Sequence, residues 1–384
     1  MRNNLKRFIV SCLTISLFIL STLTNAFAIK TFYQESVGPM DEKAEEMEFI
    51  AKNYEYVITT AGPNHVQKLK DYNPDLKVLY YFNAKGVHNY HPYWDEVVDA
   101  DLLWKDANGD TVKDARYGWY LVDIRSPLWT DIVINHLAEK MSYYDGIMLD
   151  EVGILWPSNL TNLPHDYNKD EFYSALTVLV KNIKGIFPDK IVIFNGHYRV
   201  PKYSGMEILN HADGLSFEGF SYRFNGSYIG KEALWNESID FFTAGHDMHK
   251  IACFVDVGKS TDYEKRIFSL ATYLLISNKD SVYIYVGTDI TGPQFYPEYK
   301  LDLGKPTGYP YETSDGFFVR WYEKGAVLVN PDENKTLKLN LGNTHLKRLV
   351  LEGGGNWQNE GNMYFEDVTG ILEIPPVTGA VFMW

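Results

Sequence analysis

Asp145-Gly146-Ile147-Met148-Leu149-Asp150 and Asp213-Gly214-Leu215-Ser216-Phe217-Glu218 follow one pattern: Asp-Gly, an aliphatic residue, a variable residue, an apolar residue and an acid. Each is short and apolar enough to be a buried β-strand that ends in a carboxylate. Successive side chains of a strand point to opposite faces, so Asp150 shares a face with Met148, and Glu218 shares one with Ser216. The alternate apolar residues then form the face that helices cover.

Further apolar, β-rich runs flank these two strands, and amphipathic stretches separate them. The predicted strands are residues 31–34, 56–60, 77–83, 146–150, 190–195, 214–218, 251–256 and 281–286. The predicted helices include residues 41–52, 129–142, 170–186, 231–248 and 262–276. This alternation predicts an α/β fold, a parallel (β/α)8 TIM barrel. The rival, an open doubly wound sheet, would need a Gly-rich phosphate loop after the first strand, and residues 36–39 do not supply one.

The sequence changes character after Thr288. A segment rich in Gly, Pro and Tyr is followed by short runs of alternating hydrophobicity, which predict a small antiparallel β domain of the sandwich type. We therefore predict a signal peptide at residues 1–28, a catalytic barrel at 29–312 and a C-terminal β domain at 313–384.

The N-terminus has the features of a secretory signal. Arg2, Lys6 and Arg7 precede an apolar run at residues 8–23, and Asn25-Ala26-Phe27-Ala28 has the small residues of a cleavage site. The run contains several hydroxyl side chains and is shorter than the ~20 apolar residues that a bilayer requires. We expect cleavage near Ala28, a secreted or extracytoplasmic mature protein, and no integral membrane segment after signal removal.

The net charge and the cysteine content limit the classes of molecule that the protein is expected to bind. The leader carries three basic residues and no acid, so its removal changes the net charge from −14 to −17. Nucleic acid and anionic membranes are therefore poor partners. The mature chain keeps one cysteine, Cys253, which excludes an intrachain disulfide and is predicted to be a buried thiol. No cofactor or metal motif is found, and the sequence does not indicate an oligomeric state.

Both strand-ending acids should point into the C-terminal mouth, where barrel enzymes keep their active sites. The alternative for Asp150 and Glu218 is a pair of hydrogen-bonded acids that closes the barrel. Asp145 and Asp213 precede their strands and should serve as turn or cap residues at the opposite end.

Several further polar and aromatic side chains are candidates for substrate binding. Glu151 directly follows the first acid and faces outward unless the strand has already ended. Asp123 and Arg125 precede a helix and are either loop braces or substrate contacts. The other candidates end predicted strands or lie in loops near the mouth: Asn83, Asn195, His197, Asp256, Trp156 and Tyr222.

A pair of carboxylates in a water-shielded cleft suits cleavage of a glycosidic bond. One acid must stay protonated to assist the leaving oxygen, and the other must be ionised. Aromatic rings offer flat partners for apolar sugar faces. One alternative is a carbohydrate-binding barrel without catalysis. Another is metal-dependent hydrolysis by Asp150, Glu151, Asp256 and His197, although no His pair or Cys cluster has metal-ligand spacing.

The segment Tyr144-Asp145-Gly146-Ile147-Met148-Leu149-Asp150-Glu151 resembles the strand-four motif of glycoside hydrolase barrels, including α-amylase-like and α-galactosidase-like enzymes. Over nearly the whole mature chain, the sequence is similar to the families described as hypothetical glycosyl hydrolases. The stretches that support this resemblance are residues 81–83, 121–129, 216–220, 319–331 and 374–381.

The resemblance implies a role for several of these residues. Asp150 takes the place of the nucleophile, and Glu218 takes that of the acid in the α-galactosidase-like arrangement. The α-amylase-like acid would end strand five, where this chain has Asn195. Asp256 could match the third carboxylate of the α-amylase-like enzymes. The expected activity is therefore that of a glycoside hydrolase acting on a polysaccharide or oligosaccharide.

Overall fold

A closed barrel of parallel strands forms the body of the protein. The computed structural model describes residues 29–34, 43–196, 201–203, 205–235 and 249–384. The barrel strands are β1 (Lys30–Gln34), β2 (Tyr56–Thr59), β3 (Lys77–Asn83), β4 (Gly146–Asp150), β5 (Ile191–Asn195), β6 (Gly214–Glu218), β7 (Ile251–Gly258) and β8 (Ser281–Gly287). Each strand pairs with its neighbours in the chain, and β8 closes the ring on β1. The predicted TIM barrel is confirmed.

Helices cover the outside of the barrel. They are α1 (Ala44–Asn53), α2 (Pro63–Tyr72), α3 (Trp94–Asp99), α4 (Pro127–Lys140), α5 (Lys169–Ile186), α6 (Met206–Leu209) and α7 (Tyr263–Ile276). Residues 231–235 are helical, but the rest of the helix predicted at 231–248 lies outside the described residues, as does the leader at 1–28. In the part of the chain that the structure describes, no helix is long and apolar enough to span a membrane.

The two faces of each barrel strand bury different clusters. The interior cluster contains Phe32, Tyr56, Ile58, Leu79, Met148, Ile193, Cys253, Val255, Val282 and Ile284. Ile147 and Leu149 of β4 belong instead to the cluster between strands and helices, as do Leu215 and Phe217 of β6. The alternation expected from the sequence is therefore observed, and it directs Asp150 and Glu218 toward the barrel axis.

The repeated Asp-Gly pair fixes the N-terminal end of the barrel in the same way twice. The Asp145 carboxylate accepts the backbone N–H of Val78 at 2.8 Å, and that of Asp213 accepts the N–H of Val192 at 2.8 Å. Each acid also pairs with a lysine of a neighbouring helix, at 2.6 and 2.7 Å. Both aspartates are thus structural residues that join adjacent strands.

The glycines of the same pair allow close strand approach, and we expect Gly146→Ala to destabilise the protein by about 1–3 kcal/mol. A Cβ at Gly146 would lie 2.2 Å from the Ile191 backbone oxygen, so β4 and β5 would have to separate. Urea unfolding monitored by circular dichroism measures the effect. The control is Gly185→Ala in α5, where a Cβ would meet nothing within 4 Å. Equal stability of the two variants would contradict the prediction.

An antiparallel sheet follows the barrel, as predicted. Its strands are β9 (Tyr311–Glu312), β10 (Phe318–Trp321), β11 (Gly325–Asn330), β12 (Leu337–Glu352), β13 (Asn362–Ile374) and β14 (Thr378–Met383), in the order β9-β10-β11-β14-β12-β13. The pairing of β12 with β13 shifts register between Asn340 and Leu346. One face of the sheet buries its own apolar cluster, which includes Phe317, Leu328 and Phe382. The sheet begins at Tyr311, just before the predicted boundary.

The other face of the sheet packs on α7. A Cβ at Gly379 of β14 would lie only 2.6 Å from the Ala271 Cβ, so the sheet and the helix are in intimate contact. Arg266 of α7 is fully buried and forms a bidentate ion pair with Glu298, at 2.7 and 3.0 Å. It also donates to the Gly353 carbonyl oxygen at 2.6 Å, beyond β12. One cluster of charge and apolar packing therefore joins the two domains.

Two half-buried histidines lie between β3 and β4, His91 in the long loop and His136 in helix α4. His136 Nε2 is 2.8 Å from the Tyr80 hydroxyl, and His91 Nδ1 is 3.0 Å from the Tyr93 hydroxyl. The Tyr93 and His136 rings pack with centroids 4.8 Å apart. Burial lowers the pKa of each histidine to about 4.

These histidines should make the protein sensitive to acid. Their pKa in the unfolded chain is about 6.5, so the unfolded state binds protons first and the free energy of unfolding falls as pH decreases from about 6.5 toward about 4. We expect His136→Gln to reduce the decrease in Tm between pH 7 and pH 5. His165→Gln, at an exposed site, should leave that decrease unchanged. An unaltered pH dependence in His136→Gln would refute the proposed origin.

Candidate active site

Asp150 ends β4 at the C-terminal mouth and is held by donors on three sides. Its Oδ1 accepts the Asn195 Nδ2–H and the Glu151 backbone N–H, both at 2.8 Å. Its Oδ2 accepts the Tyr81 hydroxyl at 2.5 Å. Burial and the charge of Glu151 raise the pKa of Asp150, but all three hydrogen bonds favour its ionised form and oppose that rise.

Glu218 ends β6 across the same mouth. Asn195 of the intervening strand β5 donates to Asp150 and also lies close enough to Glu218 to stabilise its charged form. Part of the Glu218 side chain is exposed at the mouth, but the surrounding protein desolvates its carboxyl group. This burial in the barrel, followed by the charge of Asp150, raises the pKa of Glu218 to about 8.

The two acids differ in the number of hydrogen bonds that stabilise their charged forms. Among the described residues, Asp150 accepts three hydrogen bonds, whereas no bond of comparable geometry reaches Glu218, whose charge is stabilised by the nearby Asn195 amide. Because the two negative charges repel each other, a proton taken up by the pair is favoured on the acid whose charge is stabilised by fewer hydrogen bonds. Hydrogen bonding thus favours the negative charge on Asp150 and the proton on Glu218, although burial raises the pKa of both acids.

Glu151 lies in the mouth, because β4 ends one residue earlier. Its φ of 62° places it in the left-handed region, which non-glycine residues seldom adopt. Its side chain forms an ion pair with Lys85 at 2.6 Å, and Lys85 is only 7% exposed. Because β4 ends at Asp150, Glu151 is free of strand alternation and can face the mouth. The buried Lys85 pairs with its charge.

A cleft beside the acids is lined by polar strand ends and aromatic loop residues. Among its lining residues are Asn83, Lys85, Tyr117, Trp119, Glu151 and Trp156. Asn83 is paired in register with Asp150 on the adjacent strand. Trp156 is 38% exposed, and the Trp119 ring contacts His88 with centroids 4.0 Å apart. The cleft thus offers flat apolar faces next to hydrogen-bonding groups, which is a surface suited to sugar rings.

The predicted place of Asp256 at the mouth is wrong. Asp256 is fully buried, and it accepts the Ser221 and Tyr222 backbone N–H groups at 3.0 and 2.9 Å and the Ser269 hydroxyl at 2.7 Å. Cys253 and Val255 of β7 face the barrel interior, so alternation turns Asp256 outward toward α7. It anchors the loop that follows β6.

Tyr222 was expected to contact substrate, but its ring is not exposed at the mouth. It is 6% exposed and packs against Phe268 of α7 with ring centroids 5.5 Å apart. Lys265 Nζ lies over its ring, 4.3 Å from the centroid. The ring therefore serves the packing of the loop after β6.

Asp123 and Arg125 act as loop braces. Arg125 forms a two-pronged ion pair with Asp123, with both distances 2.8 Å, and a second ion pair with Asp166 at 2.5 Å. Its guanidinium also lies 4.9 Å from the Trp104 ring centroid. These contacts join the loops that follow β3 and β4 and occupy the donors of Arg125, so the structure favours the brace over substrate contact.

His197 lies outside the described residues. Within the described ranges, no group of three or more His, Cys, Asp or Glu side chains could hold a metal ion. The metal-dependent alternative also loses Asp256, which faces away from the mouth. The four residues named for it are therefore not brought together in the part of the chain that is described.

Sequence reasoning missed two residues of this site. Tyr81 lies two residues before Asn83 and shares its face of β3, so the alternation rule could have placed it below the mouth. Lys85 follows β3 in the long loop, and no sequence signal distinguished it from a surface lysine.

The fold resembles that of solved glycoside hydrolases. An α-amylase from Lactobacillus plantarum matches with a TM-score of 0.52 and 11% identity, covering 92% of this chain and 98% of that one. An α-amylase from Geobacillus thermoleovorans matches with a TM-score of 0.50 and 13% identity, covering 92% of this chain and 97% of that one. The glycoside hydrolase domain of PelA from Pseudomonas aeruginosa matches with a TM-score of 0.48 and 16% identity, covering 69% of this chain and 97% of that one. At these identities the amylase matches describe the fold alone.

Among curated proteins, none matches the chain significantly. A family model does match, that of hypothetical glycosyl hydrolase family 15, and it spans residues 70–326. The match includes β4 and β6 with both strand-ending acids and extends into the C-terminal sheet. The chain therefore belongs to hypothetical glycosyl hydrolase family 15 and is a glycoside hydrolase with a TIM barrel.

Proposed function

We propose that the protein is a secreted enzyme that cleaves glycosidic bonds of a polysaccharide or oligosaccharide, with Asp150 as the nucleophile and Glu218 as the general acid and base. The observation that carries the proposal is the pair of unlike acids on either side of Asn195. Three hydrogen bonds support the charge of Asp150, while burial and its charged neighbour favour a protonated Glu218.

In the first step, Asp150 attacks the anomeric carbon and forms a glycosyl ester, while the bond to the leaving oxygen breaks. Glu218 gives its proton to that oxygen, so the leaving sugar departs as a neutral alcohol. In the second step, the Glu218 carboxylate takes a proton from water. The resulting hydroxide equivalent displaces Asp150 and restores both acids to their starting states.

The cleft beside the acids is the proposed substrate site. Trp119, Trp156 and Tyr117 would stack on sugar rings, and Asn83 would donate to or accept from a sugar hydroxyl. Glu151 and Lys85 would contribute a fixed pair of opposite charges at the wall of the cleft.

A panel of soluble polysaccharides and oligosaccharides tests this proposal, with released reducing ends as the readout. Purified mature protein should release product from at least one glycan, and the Asp150→Asn variant should not. Calorimetric binding of a glycan with no product from the unaltered protein would favour the non-catalytic alternative. Binding and hydrolysis both absent across a broad panel would remove the proposal.

Secretion is supported by the charged, apolar and small-residue segments of residues 1–28. Expression of the full chain in a secreting host should yield an extracytoplasmic protein whose N-terminus is Ile29. N-terminal sequencing distinguishes this result from retention of an intact leader.

A further inference from the structure

Tyr81 occupies a position from which it controls one oxygen of Asp150. It lies on β3 in register with Met148, two residues below the Asn83–Asp150 pair. Its ring packs against the interior cluster of the barrel, and its hydroxyl reaches Asp150 Oδ2 at 2.5 Å. Burial, followed by the charge of Asp150, raises the pKa of Tyr81, so the phenol stays protonated and remains a donor.

The charges around Asp150 make such a donor necessary. Glu151 follows it on the same chain segment, and Glu218 faces it from β6. The nearby cation Lys85 pairs with Glu151, and among the described residues Asp150 forms no ion pair. The ionised form of Asp150 thus depends on hydrogen bonds from neutral donors, which can each stabilise a charged acceptor substantially.

We propose that Tyr81 is a positioning residue, which keeps Asp150 ionised and aims its Oδ2 at the substrate. The inference rests on the proposed roles of Asp150 and Glu218. A carboxylate oxygen has about two lone-pair sites. Oδ1 accepts two hydrogen bonds, from Asn195 and from the Glu151 amide, whereas Oδ2 accepts only that of Tyr81 in the described structure. The geometry therefore assigns Oδ2 as the attacking oxygen.

The pH dependence of kcat/KM tests this role with Tyr81→Phe, which removes the hydroxyl and keeps the ring. Loss of a hydrogen bond to a charged group should raise the acidic limb, where Asp150 becomes protonated, by about one to two pH units. The basic limb should stay in place, because Asp150 is already ionised where Glu218 loses its proton. The control is Tyr56→Phe, in the interior cluster at the far end of the barrel, which should retain both limbs.

A second substitution reverses the sign of the effect. Replacing Tyr81 by 3-fluorotyrosine makes the phenol a stronger donor, so the acidic limb should move to lower pH. A purely structural role of Tyr81 would change stability or kcat without moving the limb in opposite directions in the two variants.

The outcomes separate this inference from the proposed function. An inactive Asp150→Asn variant together with unshifted limbs in both Tyr81 variants would overturn the role of Tyr81 alone. Full activity in Asp150→Asn would overturn the proposed function, and the role of Tyr81 with it. Opposite shifts of the acidic limb in the two variants, with unchanged limbs in Tyr56→Phe, would support the inference.

Discussion

Replacement of Asp150 by asparagine is expected to lower turnover by more than about a thousandfold while the protein remains folded. The amide carries no negative charge and is too weak a nucleophile to displace a sugar oxygen. It keeps the size of the aspartate and can retain an acceptor oxygen for Tyr81 or for the Glu151 amide. Initial rates on an active glycan, with circular dichroism to verify folding, measure the effect.

Asp145→Asn is the matched control, because it makes the same change at the opposite end of β4. Asp145 accepts the Val78 N–H and pairs with Lys70. Its replacement should lower the stability of the barrel and leave kcat close to that of the unaltered enzyme. If Asp150→Asn kept normal turnover, or if both variants lost activity equally while folded, Asp150 would not be the nucleophile.

Replacement of Glu218 by glutamine is expected to lower kcat about 10²–10⁴-fold and to remove the basic limb of the pH profile. Glu218 must be protonated to assist departure of the leaving oxygen. With its pKa raised to about 8, activity of the unaltered enzyme should persist through neutral pH and fall as pH rises through about 8. Glutamine has no proton to lose in this range, so that decline should disappear.

The leaving group provides an internal control for Glu218→Gln. An aryl glycoside whose phenol is strongly acidic departs without a proton, so this variant should form the glycosyl ester at a nearly normal rate. Asp150→Asn should remain inactive on the same substrate, because it lacks the nucleophile. A basic limb that persists near pH 8 in Glu218→Gln would show that another group supplies the proton.

Much of the barrel could be predicted from local sequence. Buried parallel strands are short and uniformly apolar, so segments such as 146–150 and 214–218 have the same limits in the sequence and in the structure. Helix α2 was not predicted, because its buried residues are only Val66 and Leu69. A helix that covers a strand with two side chains leaves too narrow an apolar stripe to be recognised by periodicity.

The positions of Asp150 and Glu218 were predicted from the alternation of side chains along a strand. The wrong predictions concern one strand where alternation was not applied and loops where it does not hold. Asp256 ends an apolar run, and the alternate residues Cys253 and Val255 pack inside the barrel, so Asp256 faces outward. Tyr222 and Arg125 lie in loops, where the direction of a side chain depends on distant partners such as Phe268 and Asp166. Those contacts join residues far apart in the chain and leave no local pattern.

Helix α7 has almost no solvent face. Every residue from 268 to 276 is buried, because the barrel lies on one side and β14 with its neighbours lies on the other. The C-terminal sheet is thus an integral part of the folded enzyme, because it covers one side of α7. Shortened versions made for crystallisation or engineering should end after Met383. Truncation before β9 would expose the apolar residues of α7 to solvent and promote aggregation.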